Sequence, residues 1–318
     1  MTRNISLDVL KLSMAFMVVG LHTAFLGDVS DLLRYLSVSG LFRIAVPTFT
    51  VISGFYFYQA LSAGNAVVWL KRIFLMYVFW MLFYSYYWFK LPDLSFASVR
   101  GVVMQFSIGF FHLWYLSGIL GAALLVMLTR RWNTAAVVAL IAATFIGGVL
   151  LQYLGNYQYF DSARANGFLN AHWPHRNFLL FSYPFFAIGF LINKYSLQKR
   201  VSQNVSFVLM VAGVLLLFGE SYYNFNNPAN YGGFDNFASL LIAAPFLFVF
   251  FLNLEISGTS KTIALYASSI YFIHILVRQL LVEFTGLNYT PLTLVTIALS
   301  ALLSIGVIAI NKRVKFML

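Results

Sequence analysis

Residues 5–25 read ISLDVLKLSMAFMVVGLHTAF, an apolar run interrupted by Asp8 and by two further ionisable side chains, Lys11 and His22. About 20 helical residues are needed to cross the hydrocarbon core of a bilayer, and this stretch has that length. We therefore predict a first membrane-spanning helix over about residues 7–26. An ionisable side chain inside a span is costly, so the lysine and the histidine are functional candidates.

Apolar runs of similar length recur along the rest of the chain. The sequence is 61% hydrophobic and 9% charged, with a mean hydropathy of +0.83. A soluble domain would carry about 25% charged residues, because its surface faces water. The composition thus predicts an all-α polytopic membrane protein that forms one domain over residues 1–318. Ten spans are expected, at about residues 7–26, 41–61, 70–89, 111–128, 134–154, 177–193, 203–220, 236–252, 262–283 and 292–311.

The basic surplus, a formal net charge of +11, is explained by membrane topology and not by nucleic-acid binding. With ten spans and the N-terminus inside, most lysines and arginines fall on the inner side, while acids and bases balance outside. This asymmetry is the positive-inside pattern, and it predicts that both termini are cytoplasmic. The chain has no cysteine, which excludes disulfides, thiolate metal sites and a cysteine nucleophile.

Lys11 and His22 are expected to share one face of the first span. Eleven steps of about 100° return to within about 20° of the start, and the rise is about 16 Å. Asp8 lies one turn before Lys11 and is expected to pair with it. The alternative is that Lys11 extends to the cytoplasmic headgroups and His22 to the outer interface. The shared face favours a functional role for His22, since histidine can act as a base near neutral pH.

The second and fourth spans carry further candidates. Arg43 stands near the outer end of the second span, and Ser53 with Gly54 forms a patch of small residues. Such a patch allows a helix or a narrow ligand to approach the backbone closely. His112 and Trp114 open the fourth span in the segment FFHLWYLSG, as interfacial anchors or as site residues.

The outer loop before the sixth span contains His172, His175 and Arg176. A His-x-x-His pair can bind a metal, but the sequence shows no carboxylate or third ligand near it. We therefore predict no metal site and expect contacts to a sugar instead.

The ninth span places Tyr271, His274 and Arg278 at successive helical turns. Together with the other candidates they suit a base and cationic groups that bind an anionic or phosphate-bearing substrate. The sequence has no Walker, HExxH, GxSxG or dinucleotide-binding motif.

The pattern resembles the bacterial membrane acyltransferase-3 family. Lys11 and His22 give K-x10-H, where that family has Arg or Lys, ten residues and then His. Four later segments resemble its other signatures in the same order: RIAVPTFTVISGFYF (43–57), FHLWYL (111–116), HRNFLLFSYPFFAIGFLI (175–192) and SSIYFIHILV (268–277). There is one departure, because KRIFL (71–75) has Leu75 where the family commonly has the second arginine of R-x-x-R.

The resemblance implies transfer of an acetyl group from acetyl-CoA to a hydroxyl of a surface polysaccharide or its lipid-linked precursor, such as the O-antigen of lipopolysaccharide. It implies a multi-pass protein of the bacterial inner membrane. Acetyl-CoA is then the acyl donor and no cofactor is bound permanently. The partners are acetyl-CoA, a glycan acceptor and membrane lipid, with no nucleic acid.

On this interpretation His22 is the catalytic base, acting directly or through an acetyl-histidine intermediate. The phosphates of the donor are expected to meet Lys11, Lys71 and Arg72. Acceptor contacts are expected from Arg43, Ser53, His112, Trp114, Arg176, Tyr271 and His274.

A different class of function also fits these residues. Ten spans with intramembrane lysine, histidine and arginine suit a proton-coupled transporter or a flippase of an anionic or lipid-linked substrate. A third possibility is an acyltransferase that acts on a small metabolite. Release of CoA that depends on a glycan acceptor distinguishes the first interpretation from the transporter, and mass spectrometry of surface glycans distinguishes it from an acyltransferase with another acceptor.

Overall fold

The first helix has well-defined ends. In the computed structural model, which describes residues 3–93, 95–230 and 232–318, α1 covers Ile5–Thr23. The Asn4 side chain accepts a hydrogen bond from the Leu7 N–H at 3.2 Å, which caps the start of the helix. The helix ends at Ala24, which adopts a left-handed conformation with φ 56°. Lys11 therefore lies near the beginning of α1 and His22 in its last turn.

The described residues form helices joined mostly by short loops. The further α-helices are α2 (Asp31–Val38), α3 (Ala45–Ser62), α4 (Ala66–Phe83), α5 (Ser85–Trp88), α6 (Phe96–Ile108), α7 (Trp114–Thr129), α8 (Thr134–Asn156), α9 (Ala163–Asn170), α10 (Tyr183–Lys194), α11 (Gln203–Asn226), α12 (Leu240–Asn253), α13 (Thr262–Thr285) and α14 (Tyr289–Asn311). Short 3₁₀ segments cover Leu41–Ile44, Phe111–Leu113 and Leu197–Lys199, and a π-helical turn covers Phe178–Ser182. Two short strands, β1 (Arg3–Asn4) and β2 (Ser257–Gly258), pair antiparallel.

The predicted fold class, an all-α membrane protein, is confirmed. Within the described ranges, 8 helical segments are long and apolar enough to cross a membrane. Each of the ten expected spans coincides with a helix, but those at 177–193 and 236–252 correspond to the shorter apolar helices Phe178–Lys194 and Leu240–Asn253. The exact number of spans and the cytoplasmic position of both termini stay predictions.

Two close helix contacts hold the interior together. A Cβ at Gly54 of α3 would lie 1.9 Å from the Phe186 carbonyl oxygen, and one at Gly189 of α10 would lie 2.0 Å from the Val51 carbonyl oxygen. The backbones of α3 and α10 thus touch at two glycines, as small residues permit in membrane helices. This confirms that Gly54 serves the close approach of a helix.

The helix that carries His22 is fixed against the C-terminal part of the chain. α1 packs against α13 and α14. At the His22 end, the Thr23 and Thr293 hydroxyl oxygens lie 2.6 Å apart, which joins α1 to α14 by a buried hydrogen bond. The first span is therefore an interior element with protein on several sides.

Candidate active site

Lys11 has a buried counter-ion. The Asp8 carboxylate, only 2% exposed, accepts hydrogen bonds from Arg3 and lies 3.8 Å from the Lys11 amino group. The predicted pairing of Asp8 with Lys11 is confirmed. The Lys11 amino group also lies 5.6 Å from the centroid of the Tyr56 ring, within range of a cation–π contact. These contacts offset part of the cost of placing a charge within the helical bundle.

A cavity of about 290 Å³, here called the Lys11 cavity, opens beside this lysine. It brings Lys11 and Arg72 together, two of the three residues that we expected to bind donor phosphates. The third, Lys71, is exposed and lines neither this cavity nor the one described next. Arg72 donates a hydrogen bond to the Leu318 backbone oxygen at 2.9 Å. The other lining residues are Phe49, Ile52, Ser53, Tyr56, Trp69, Ile73, Met76, Tyr115, Leu116, Ile119, Ala267, Ser268, Tyr271, Phe272 and Leu318.

Ser53 lies in the Lys11 cavity and not with the other expected acceptor contacts. Its hydroxyl oxygen is 2.9 Å from that of Tyr115. Arg43 stands ten residues earlier, nearly three helical turns away, which explains why the two residues line different cavities.

A second, smaller cavity of about 40 Å³ lies beside His22 and is called the His22 chamber. It unites six of the predicted site residues, which are His22, Arg43, His112, Trp114, Arg176 and Tyr271. The remaining lining residues are Val18, Leu21, Phe42, Val46, Phe181 and Asp235. Its volume accommodates a few water-sized groups. Tyr271 lines both cavities, so the Lys11 cavity and the His22 chamber meet at this side chain.

Three imidazole rings cluster at the His22 end of α1. The His22 and His274 ring centroids are 5.4 Å apart, and those of His112 and His274 are 5.1 Å apart. His112 and His274 are almost completely buried, at 1% and 0% exposure. Both ring nitrogens of His112 lack a hydrogen-bond partner among the described residues. A buried polar atom without a partner is costly, so these nitrogens are candidates to meet a substrate.

Helix α13 packs against the His22 end of α1. Arg278 donates a hydrogen bond from Nε to the His22 carbonyl oxygen at 2.7 Å. One turn earlier on the same helix, His274 lies beside the His22 ring. Two residues of the predicted stripe, His274 and Arg278, thus contact His22, whereas Tyr271 lines the same chamber as His22 and His274 does not.

Asp235 is a site residue that sequence reasoning missed. It forms an ion pair with Arg43, and its other carboxylate oxygen lies 3.5 Å from the Arg176 guanidinium. The Arg176 guanidinium in turn lies 5.0 Å from the Trp114 ring centroid. Burial alone would raise the pKa of the Asp235 carboxyl, but Arg43 and Arg176 outweigh it and hold that pKa well below its usual range. Asp235 therefore stays ionised and orients both arginines.

The segment around Asp235 is fixed by Gln152 of α8. The Gln152 side-chain oxygen accepts the backbone N–H groups of Asp235 and Asn236 at 2.8 and 3.0 Å, and its amide donates to the Asn236 carbonyl oxygen at 3.1 Å. One signal in the sequence pointed toward this arrangement, because an arginine near a span end, such as Arg43, needs a counter-ion. No spacing rule could have selected Asp235, which lies 192 residues away.

The same carboxylate approaches the histidine pair of the outer loop. Asp235 lies 3.4 Å from Nδ1 of His172 and 3.9 Å from Nε2 of His175. The sequence argument that no carboxylate lies near this pair is therefore wrong, since possible ligand atoms of the three residues lie within 4.8 Å of one another. Arg43 and Arg176 already neutralise this carboxylate, and their charges would repel a divalent cation there. Burial lowers the pKa of His175 to about 4, against the opposing effect of Asp235, so His175 is neutral near pH 7.

Comparison with known proteins identifies the family of the chain. A serine/alanine racemase from Enterococcus gallinarum is 26% identical over 254 residues, which cover 71% of this chain and 34% of that protein. The chain thus spans about a third of the length of this curated relative. No solved structure matches. The sequence profile of a family described as an acyltransferase domain matches residues 4–310, nearly the whole chain. The protein therefore belongs to the acyltransferase-3 family.

Proposed function

We propose that the protein is a membrane O-acyltransferase that moves an acetyl group from cytoplasmic acetyl-CoA to a hydroxyl of a cell-surface polysaccharide or its lipid-linked precursor. One observation supports this proposal above all. The Lys11 cavity and the His22 chamber lie toward opposite ends of α1 and meet at Tyr271. The Tyr271 side chain is therefore shared by the cavity that we assign to the donor and the chamber that contains His22, and we expect the thioester to pass it to reach the acceptor.

The Lys11 cavity suits the donor. Lys11 and Arg72 place two cationic groups on a cavity that is otherwise lined mainly by apolar and aromatic side chains. Cationic groups bind phosphates, and apolar walls accept the uncharged arm that carries the thioester. The rise of about 16 Å from Lys11 to His22 along the helix is comparable with the reach of that extended arm. The predicted positive-inside topology places this cavity on the cytoplasmic side.

The His22 chamber suits the reaction itself. Neutral His22 takes the proton of the acceptor hydroxyl as the oxygen forms a bond to the acyl carbon. A buried N–H of His112 donates to the negative oxygen that develops on this carbon. The carbon–sulfur bond then breaks, and the proton passes to the sulfur, so that CoA leaves as the thiol. The ester and the free thiol account for all atoms of the two reactants.

The size of the chamber supports a short acyl group and an acceptor that stays largely outside. A cavity of about 40 Å³ admits a hydroxyl and the end of an acyl group but not a sugar ring. The ring would instead rest on the outer wall formed by Arg43, Trp114 and Arg176. Asp235 fixes both arginines in place there.

The test uses purified protein in nanodiscs with acetyl-CoA and a lipid-linked glycan acceptor. We expect free CoA to appear only when the acceptor is present, together with a base-labile acetyl mass on the glycan. His22→Ala is expected to lower the rate at least about 100-fold, because it removes the general base. Lys261→Ala, at an exposed position that lines neither cavity, is the matched control and should act as the wild type. Movement of the glycan across the membrane without any acetylation would overturn the proposal in favour of a transporter.

A further inference from the structure

The two ring nitrogens of His274 differ in their hydrogen bonding. Its Nδ1 lies 2.7 Å from the Tyr271 carbonyl oxygen and 3.2 Å from that of Ile270. A carbonyl oxygen can only accept a hydrogen bond, so Nδ1 carries the proton and Nε2 presents a lone pair. This Nε2 is buried and has no hydrogen-bond partner among the residues that the structure describes. A histidine that only filled the core would not need an unpaired basic atom at 0% exposure.

The His274 ring lies at the contact between α13 and α1. The His274 ring lies 5.4 Å from the His22 ring, with an angle of 21° between the two planes. Arg278, one turn further along α13, donates to the His22 carbonyl oxygen at 2.7 Å and so locks the register of the two helices. The centroid separation allows proton transfer through one bridging water or after a small rotation of His22.

We propose that His274 is the positioning residue and proton-relay partner of His22; this inference rests on the proposed acyl transfer. As the acceptor oxygen attacks the acyl carbon, its proton moves to one ring nitrogen of His22. The other ring nitrogen of His22 releases its own proton to Nε2 of His274. His274 then carries a proton on both nitrogens, and the carbonyl oxygens of Tyr271 and Ile270 stabilise the charge through Nδ1–H.

The relay runs backward when the carbon–sulfur bond breaks. Nε2 of His274 returns its proton to His22, and His22 gives the proton from its other nitrogen to the thiolate sulfur. CoA leaves as the thiol, and both histidines regain their starting protonation. The relay places the positive charge on His274 and not on His22, which is next to the acyl carbon. The carbonyl oxygens of Ile270 and Tyr271 lie beside the His274 ring and stabilise this charge.

The substitution His274→Asn separates this role from a structural one. An asparagine amide can still donate to the Tyr271 carbonyl oxygen, but it lacks the basic nitrogen. We expect kcat to fall about 10- to 100-fold, with KM for acetyl-CoA and for the acceptor changed less than about 2-fold. Ser269→Ala removes a buried hydroxyl from the same helix and is the matched control, with kcat within about 2-fold of the wild type.

A second measurement needs no variant. In single turnovers of the wild type, the rate in mixtures of H₂O and D₂O should depend on the deuterium fraction with the curvature of two protons in flight. A linear dependence, or a His274→Asn enzyme with wild-type kcat, would overturn the relay. If His22→Ala abolishes transfer while His274→Asn does not affect it, only the relay fails. If the wild type transfers no acyl group at all, the proposed function fails instead.

Discussion

Removing the negative charge of Asp235 should destabilise the protein strongly while leaving its backbone contacts in place. Asp235 is 6% exposed and pairs with Arg43, whose side chain is 17% exposed. Asp235→Asn retains the shape of the side chain and the backbone bonds to Gln152, but it leaves the Arg43 charge without its counter-ion. Breaking a buried ion pair by removing one partner costs about 3–5 kcal/mol. Because asparagine keeps one acceptor oxygen for the arginine, we expect about 3 kcal/mol.

Chemical denaturation in mixed micelles measures this loss of unfolding free energy. Asp161→Asn, at an exposed loop position, is the matched control and should change it by less than about 0.5 kcal/mol. Adding Arg43→Gln to Asp235→Asn should restore part of the stability, since the unpaired charge is then removed, with a coupling of about 1–3 kcal/mol. The reasoning is refuted if Asp235→Asn is as stable as the wild type, or if the two substitutions are simply additive.

Three further outcomes can be checked by the same denaturation method. Gly54→Ala should cost more than about 3 kcal/mol, because its Cβ would lie 1.9 Å from the Phe186 carbonyl oxygen, whereas Gly101→Ala, with open space around it, should be neutral or stabilising. Glu220→Gln should cost about 2 kcal/mol, since the carboxylate accepts two backbone N–H groups at the start of α12, at 2.8 and 2.9 Å. With its pKa lowered by burial to about 4, His175 binds fewer protons in the folded than in the unfolded chain, so stability should fall as pH drops from about 6.5 to 4. His175→Asn should flatten this slope.

A specific result would contradict each of these three predictions. Equal stability of the alanine variants at Gly54 and Gly101 would mean that α3 and α10 can separate without cost. An unchanged Glu220→Gln protein would mean that the start of α12 is held by other groups. A pH slope that persists in His175→Asn would assign it to another residue.

The fold followed from local signals in the sequence. Long apolar runs such as residues 5–25 predict both the length and the lipid environment of a helix, because the thickness of the bilayer determines how many apolar residues are needed to cross it. The two shortest runs were harder, since α10 begins only after the π-helical turn at Phe178–Ser182 and α12 has only 14 residues. The amino-acid composition of these two runs does not reveal where the α-helical backbone begins and ends.

The site was predictable where it depends on helical spacing and not where it depends on distant parts of the chain. The register of one helix relates Lys11 to His22, and the order of signatures along the sequence located Arg43 and Arg176. Which face of α4 meets the Lys11 cavity depends on its packing, so the neighbouring residues Lys71 and Arg72 could not be separated in advance. The need of Arg43 for a counter-ion was visible, but Asp235 could not be selected for it, because its contacts are with residues of other elements.

Vectorial transfer in proteoliposomes tests the central claim most directly. The protein is reconstituted in a known orientation, with labelled acetyl-CoA on the side of Lys11 and a glycan acceptor only on the side of His22. The account predicts labelled acceptor at the wild-type rate in this arrangement, none when the donor is moved to the His22 side, and none with His22→Ala. Acetylation that requires donor and acceptor on the same side would contradict the path through the junction at Tyr271.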